Sequence, residues 1–133
     1  MTGAKRYVTM QTATASKERT LVLLFEAALR HMRTGASALE KKDRIKAATS
    51  LDKACQIVLE LQSTLKPEVA PKLVSDLIEI YTFTAARLSR AIASGDVKDV
   101  IEAERAFRPV ADGFTQAAQQ QMATAKPTAN VTP

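Results

Sequence analysis

The stretch TASKERTLVLLFEAALR, residues 14–30, decides the fold class. It begins with small polar residues and continues into an apolar run, Leu21 to Phe25, which Glu26 and Arg30 bring to an end. A transmembrane helix needs about 18 consecutive apolar residues, so this run is too short to span a bilayer. A secretory signal would place its apolar run nearer the start, behind a basic segment. We therefore interpret the stretch as a helix of a cytoplasmic protein that does not insert into membranes.

The composition predicts an all-α domain. The chain has 133 residues, which fits one domain, and it contains only 4 Gly and 5 Pro. Ala, Leu, Lys, Glu, Gln and Arg dominate, and these are strong helix formers. There is no Trp, and 2 Tyr and 4 Phe leave the core mostly aliphatic.

Capping residues delimit the first two helices. Ser16 is a suitable N-cap for the first helix, which we expect to end near Lys42. Asp43 is the expected N-cap of the second helix, and Pro67 lies where that helix must already have ended. Gly35, inside the first helix, would permit a neighbouring helix to approach closely.

Proline and glycine signals delimit the other two helices. Pro71 suits the first turn of the third helix, Gly95 its C-terminal end, and Asp96 the N-cap of the fourth. Pro109 should kink or break the fourth helix.

Four helices joined by short loops predict an antiparallel up-down-up-down four-helix bundle. We assign residues 16–122 to this bundle. Residues 1–15 form a short N-terminal docking segment, and residues 123–133, which have two prolines and no apolar period, form a disordered C-terminal tail.

Residue types that support catalysis or metal binding are scarce. His31 is the single histidine and Cys55 the single cysteine, so neither a histidine-based zinc site nor an internal disulfide can form. We interpret His31 as a partly exposed helix residue and Cys55 as a small buried apolar one. The sequence predicts no enzyme, no metal site and no cofactor.

The charge distribution raises the alternative of a basic helical bundle that binds nucleic acid. The net charge is +5, and basic residues outnumber acidic ones within residues 1–50. These charges are dispersed, and no aromatic residues are interleaved to stack on bases. We therefore expect a solvated basic face and no nucleic-acid partner.

Apolar residues are more abundant than one bundle core requires. The first three helices each have an apolar face wider than the roughly 100° that a surface helix needs. Either the N-terminal segment or another chain must cover the excess, and a homodimer is one way to do so.

Four segments, in order along the chain, resemble the flagellin secretion chaperones of the FliS family. They are TASKERTLVLLFEAALRHM (residues 14–32), LDKACQIVLELQSTL (51–65), IYTFTAARLSRA (80–91) and ADGFTQA (111–117). The resemblance implies a helical bundle whose apolar grooves bind the disordered C-terminal region of flagellin. It further implies that the chaperone prevents premature polymerisation and delivers flagellin to the flagellar type III export gate.

The resemblance also implies positions for the partner-binding residues. Tyr7 and Val8 would form a lid over the groove. Apolar residues from three helices would line the groove, with core packing as the alternative at each position: Leu24, Phe25, Ile57, Leu61, Tyr81, Phe83 and Leu88. Arg87 would either anchor a carboxylate of the partner or pair with Glu104.

Three features depart from the family pattern. The third helix has small residues at Thr82, Thr84, Ala85 and Ala86, Pro109 interrupts the last helix, and the chain is basic. A chaperone or adaptor for a different export client is therefore the alternative within the same family.

Overall fold

The computed structural model describes the backbone of residues 2–129 and the side chains of residues 16–121. Four helices and no strand occur within this part: α1 (Thr2–Glu40), α2 (Arg44–Ser63), α3 (Pro71–Ser94) and α4 (Val97–Ala129). Each helix packs on the next along the chain and α4 packs on α1, whereas the described backbones of diagonal helices do not come within 8 Å of each other between Cα atoms. This closed ring of neighbours confirms the four-helix bundle.

The helix boundaries at Asp43, Pro71 and Gly95 are confirmed. The Asp43 carboxylate accepts a hydrogen bond from the Lys46 backbone N–H at 3.1 Å, as an N-cap does. Pro71 opens α3, and Gly95 ends it in the left-handed conformation with φ of 75°. Asp96 Oδ1 then accepts a bond from the Lys98 N–H at 2.9 Å and caps α4.

The end of α1 has a Schellman geometry without glycine. The Asp43 N–H donates to the Ala38 carbonyl at 2.8 Å, and the Lys42 N–H donates to the Leu39 carbonyl at 3.0 Å. Lys42 occupies the left-handed position with φ of 59°, where glycine is the residue of lowest strain.

Two helices are longer than predicted. α1 begins at Thr2, so Ser16 is not its N-cap but an interior residue whose carbonyl accepts the Thr20 hydroxyl at 2.8 Å. Of the two effects predicted for Pro109, a break is wrong, because α4 continues through it to Ala129 and includes residues we had placed in the tail, whereas a kink stays a prediction. Phe107 and Ala111 on either side are buried, and this packing offsets the hydrogen bond that proline removes. Residues 130–133 lie outside the described structure.

The core combines an aliphatic majority with one aromatic cluster. The ring of Phe25 lies 5.6 Å from that of Phe107 and 5.1 Å from that of Phe114, measured between centroids. Tyr81 lies 6.1 Å from Phe107, and burial raises the pKa of its hydroxyl to about 12. These contacts join α1, α3 and α4 at one level of the bundle.

Gly35 allows α2 to approach α1 closely, as the sequence suggested. A Cβ built at this position would lie 2.6 Å from Leu51 Cγ, and Leu51 is fully buried. The absence of a side chain is therefore what lets Leu51 pack against the α1 backbone.

Arg44 connects the start of α2 to the end of α3. Its Nη2 donates to the carbonyls of Ile92 at 3.3 Å and Ala93 at 3.1 Å, which lie in the last turn of α3. The guanidinium lies over Gly95, where a Cβ would come within 2.6 Å of Nη1. This contact satisfies carbonyls that the helix end leaves without partners.

None of the helices, over the residues described, carries an apolar stretch long enough to cross a membrane.

Candidate binding groove

Large apolar side chains remain exposed on the surface of the bundle. Their exposed fractions range from 36% to 83%: Leu23, Ile45, Leu59, Val69, Leu73, Ile78, Phe83 and Ile101. Isolated exposed apolar residues are ordinary, whereas clustered ones mark binding surfaces. Whether an exposed residue marks a binding surface therefore depends on whether other apolar residues lie beside it.

A groove of about 390 Å³ lies between α2 and α3, at the end of the bundle where the loop of residues 64–70 joins them. We call it the α2–α3 groove, and its lining is mainly apolar: Leu59, Gln62, Ser63, Leu65, Pro67, Val74 and Ile78.

Leu59 and Ile78 form the accessible apolar walls of this groove. Leu59 follows the fully buried Val58, so the helical turn directs it about 100° away from the core line of α2. Leu59 is 52% exposed and Ile78 36% exposed, whereas Val74 is buried. The groove therefore offers apolar surface that the bundle itself does not cover.

Phe83 and Arg87 form a second feature, on the side of α3 that faces α4. The Arg87 guanidinium carbon lies 5.0 Å from the centroid of the Phe83 ring, within cation–π range. Arg87 Nη1 lies 3.4 Å from Asp99 Oδ1, and Nε lies 3.2 Å from Glu102 Oε2. The Phe83 ring itself remains partly exposed.

The suggested pairing of Arg87 with Glu104 is wrong. Glu104 pairs instead with Arg108, one turn further along α4. Asp99 and Glu102 lie closer to the α3 face of α4, so they and not Glu104 reach Arg87. These ion pairs connect α3 to α4, and a role of Arg87 in binding a carboxylate of the partner stays a prediction.

The predicted partner-binding residues fall in several separate places. Those whose side chains turn towards the bundle axis lie in the core and are 0–3% exposed: Phe25, Leu61, Tyr81 and Leu88. The side chains of Tyr7 and Val8 lie outside the described residues. The role of all these positions in partner binding stays a prediction.

Leu24 lies on α1 and Ile57 on α2. Both are half-buried and pack against the core.

Sequence reasoning did not identify the α2–α3 groove. Leu59 belongs to the wide apolar face predicted for the second helix, and that excess width was the available signal. Only the packed structure shows that Leu59 and Ile78 border the same groove.

The chemically reactive side chains considered in the sequence analysis, His31 and Cys55, lie within the described part of the chain. No group of histidine, cysteine and carboxylate residues among them could hold a metal ion. Partial burial, and then the charges of Arg30 and Lys53, lower the pKa of His31 from its usual 6.5. Cys55 is half-buried, and its Sγ lies 3.9 Å from the Ala85 carbonyl oxygen.

Comparisons with known proteins agree with the resemblance of the sequence segments. The family described as flagellar protein FliS matches residues 1–121. A flagellar secretion chaperone FliS from Escherichia coli strain K12 is 27% identical over 103 residues, which cover 77% of this chain and 76% of the relative. Because the family match extends over nearly the whole chain, this protein belongs to the flagellar protein FliS family.

Proposed function

We propose that this protein is a cytoplasmic export chaperone that binds the C-terminal region of flagellin, with the α2–α3 groove as one of its contact surfaces. Membership of the FliS family and the chaperone name of the Escherichia coli relative support the role. The exposed apolar lining of the groove carries the structural part of the proposal.

Helix-in-groove recognition fits the dimensions and chemistry of this surface. An amphipathic segment of flagellin would place apolar side chains between Leu59 and Ile78, while Gln62 and Ser63 offer polar contacts at the rim. Burial of apolar surface supplies the attraction, and ordering of the flagellin segment opposes it by several kcal/mol. Binding of this kind requires no nucleotide or cofactor.

Binding of the flagellin segment by the chaperone would have a direct biological consequence. A flagellin whose C-terminal region is held by the chaperone cannot use that region for subunit contacts, so it stays unpolymerised until delivery to the flagellar type III export gate. Release there requires only that the gate or the export process competes for the bound segment.

Calorimetric titration of the full chain with a purified flagellin C-terminal peptide tests the function. We expect binding at near equal stoichiometry with a negative heat-capacity change, because apolar surface is buried. An absence of binding by the wild-type chain would refute the proposed function, irrespective of which surface is involved.

Matched substitutions test the groove separately from the function. The variant Leu59→Ser/Ile78→Ser removes both apolar walls, and we expect about 30- to 100-fold weaker binding, from about 1 kcal/mol or slightly more lost at each side chain. The control Ile45→Ser removes an 83% exposed residue that lies outside the groove lining, and it should leave affinity unchanged. Equal affinities for all three proteins would show that flagellin binds elsewhere.

The lid of residues 1–15 remains part of the proposal. Replacement of Tyr7 by Ala should change the affinity for flagellin while leaving the free energy of unfolding nearly unchanged. A large loss of stability in this variant would instead assign Tyr7 to the core. Sedimentation of the free chain and of the complex would show whether a homodimer covers the groove in place of flagellin.

A further inference from the structure

A second depression in the bundle differs from the α2–α3 groove in chemistry and position. It has a volume of about 450 Å³ and lies beside the turn between α1 and α2. We call it the basic cleft, because four cations line it together with two hydroxyl groups: Arg30, Arg33, Lys41, Lys46, Thr34 and Ser37. All four cationic residues are exposed.

The cations of the basic cleft lack ion-pair partners among the described side chains. None of the four lies within 4.0 Å of a carboxylate there, whereas Arg87, Arg90 and Arg108 elsewhere in the bundle are paired. The single carboxylate in the cleft lining, Asp43, already accepts the Lys46 backbone N–H as the N-cap of α2. The cleft therefore contains four cationic side chains and one carboxylate, and that carboxylate already accepts a hydrogen bond.

Helix stability explains only some of these charges. Lys41 lies at the C-terminal end of α1, where the helix dipole favours a cation, and Arg30 follows Glu26 at a spacing of four residues that favours the isolated helix. Arg33 precedes the last turn of α1 and lies three residues from the like charge of Arg30, and Lys46 lies in the first turn of α2, where the dipole disfavours a cation. A function in binding gives a physical reason for the charges at Arg33 and Lys46.

The lining favours carboxylates over a nucleic acid. Two guanidinium groups offer planar forks that match carboxylate and phosphate oxygens alike, and the hydroxyls of Thr34 and Ser37 add neutral donors. No aromatic residue lines the cleft, so bases would have no stacking surface.

We propose that the basic cleft binds an acidic peptide segment of a protein partner. This surface is separate from the α2–α3 groove, since no residue lines both. The chain would therefore hold its apolar client and an acidic partner at the same time. Electrostatic attraction would mainly raise the association rate and would weaken with added salt.

A fluorescein-labelled oligoglutamate peptide, followed by fluorescence anisotropy at low ionic strength, tests the proposal. The variant Arg33→Gln/Lys46→Gln removes one cation from each side of the cleft, and we expect at least about tenfold weaker binding from the loss of two charged contacts. The control Lys98→Gln/Arg105→Gln makes the same change in net charge on exposed residues of α4 and should change affinity less than about twofold.

Each alternative outcome contradicts the proposal. No binding of oligoglutamate by the wild-type chain overturns it, and so does equal weakening by both double variants, which would indicate attraction by net charge alone. Oligothymidylate of matched charge serves as the competing probe. Tighter binding of that probe, with the same dependence on Arg33 and Lys46, would assign the cleft to nucleic acid.

Discussion

Replacement of Gly35 by alanine tests the close contact between α1 and α2, and two opposing effects determine its sign. In a helix interior, alanine is favoured over glycine by about 0.8–1.0 kcal/mol. At Gly35 the new Cβ would come within 2.6 Å of Leu51 Cγ. Leu51 is fully buried and cannot swing away into solvent, so the contact requires the helices to separate or Leu51 to leave its preferred rotamer.

Overpacking of this kind typically destabilises by about 1–3 kcal/mol. Subtraction of the gain in helix propensity leaves Gly35→Ala destabilised by up to about 2 kcal/mol. Gly113 is the matched control, because it also lies inside a helix and a Cβ there would meet nothing within 4 Å. Gly113→Ala should therefore gain about 0.8–1.0 kcal/mol from propensity alone.

The difference between the two variants isolates the packing effect, since the propensity contribution cancels. Urea unfolding followed by circular dichroism should place Gly35→Ala about 1–3 kcal/mol below Gly113→Ala. In a Leu51→Ala background the steric contribution should disappear, so the cost of Gly35→Ala should fall there. Equal stabilisation by both alanines would refute the inference that Gly35 exists to admit Leu51.

Two further predictions concern backbone strain and proton binding. Lys42→Gly should stabilise the protein by about 1 kcal/mol in urea unfolding, because glycine has the lowest strain at positive φ. Gly95→Ala should destabilise it by about 1 kcal/mol or more, because φ is positive and the new Cβ would come within 2.6 Å of Arg44 Nη1; effects of the same sign for the two variants would contradict this account. The pKa of His31, measured by NMR at low salt, should lie below 6.5 and rise partway back with added salt as the charges of Arg30 and Lys53 are screened. Because folding lowers this pKa, the free energy of unfolding should be greatest above about pH 6.5 and fall as the pH drops through the pKa of the folded state. The variant His31→Gln should flatten this pH dependence. A pKa of His31 at or above 6.5 at low salt would refute the prediction.

Local chemistry accounts for the parts of the fold that sequence reasoning predicted correctly. Asp43, Pro71 and Gly95 act through their own backbone or through atoms two or three residues away, so their roles at helix ends can be read without a structure.

Predictions that depended on competition between local and tertiary effects were less successful. Proline disfavours a helix interior, yet burial of Phe107 and Ala111 keeps α4 continuous through Pro109. Arg87 pairs with Asp99 and Glu102 because the relative rotation of α3 and α4 sets which carboxylates come within reach. The sequence pattern of neither helix specifies that rotation.

The sequence by itself determined an all-helical chain, the main helix junctions and its resemblance to the FliS family, because short-range stereochemistry and ordered motifs are properties of contiguous residues. Only the tertiary structure decided which part of the wide apolar face of α2 packs in the core, and therefore that Leu61 is buried while Leu59 borders a groove. It also brought Arg33 and Lys46 of two different helices to one cleft. Surfaces of this kind arise from the arrangement of helices about a common axis, which the residues of any one helix do not specify.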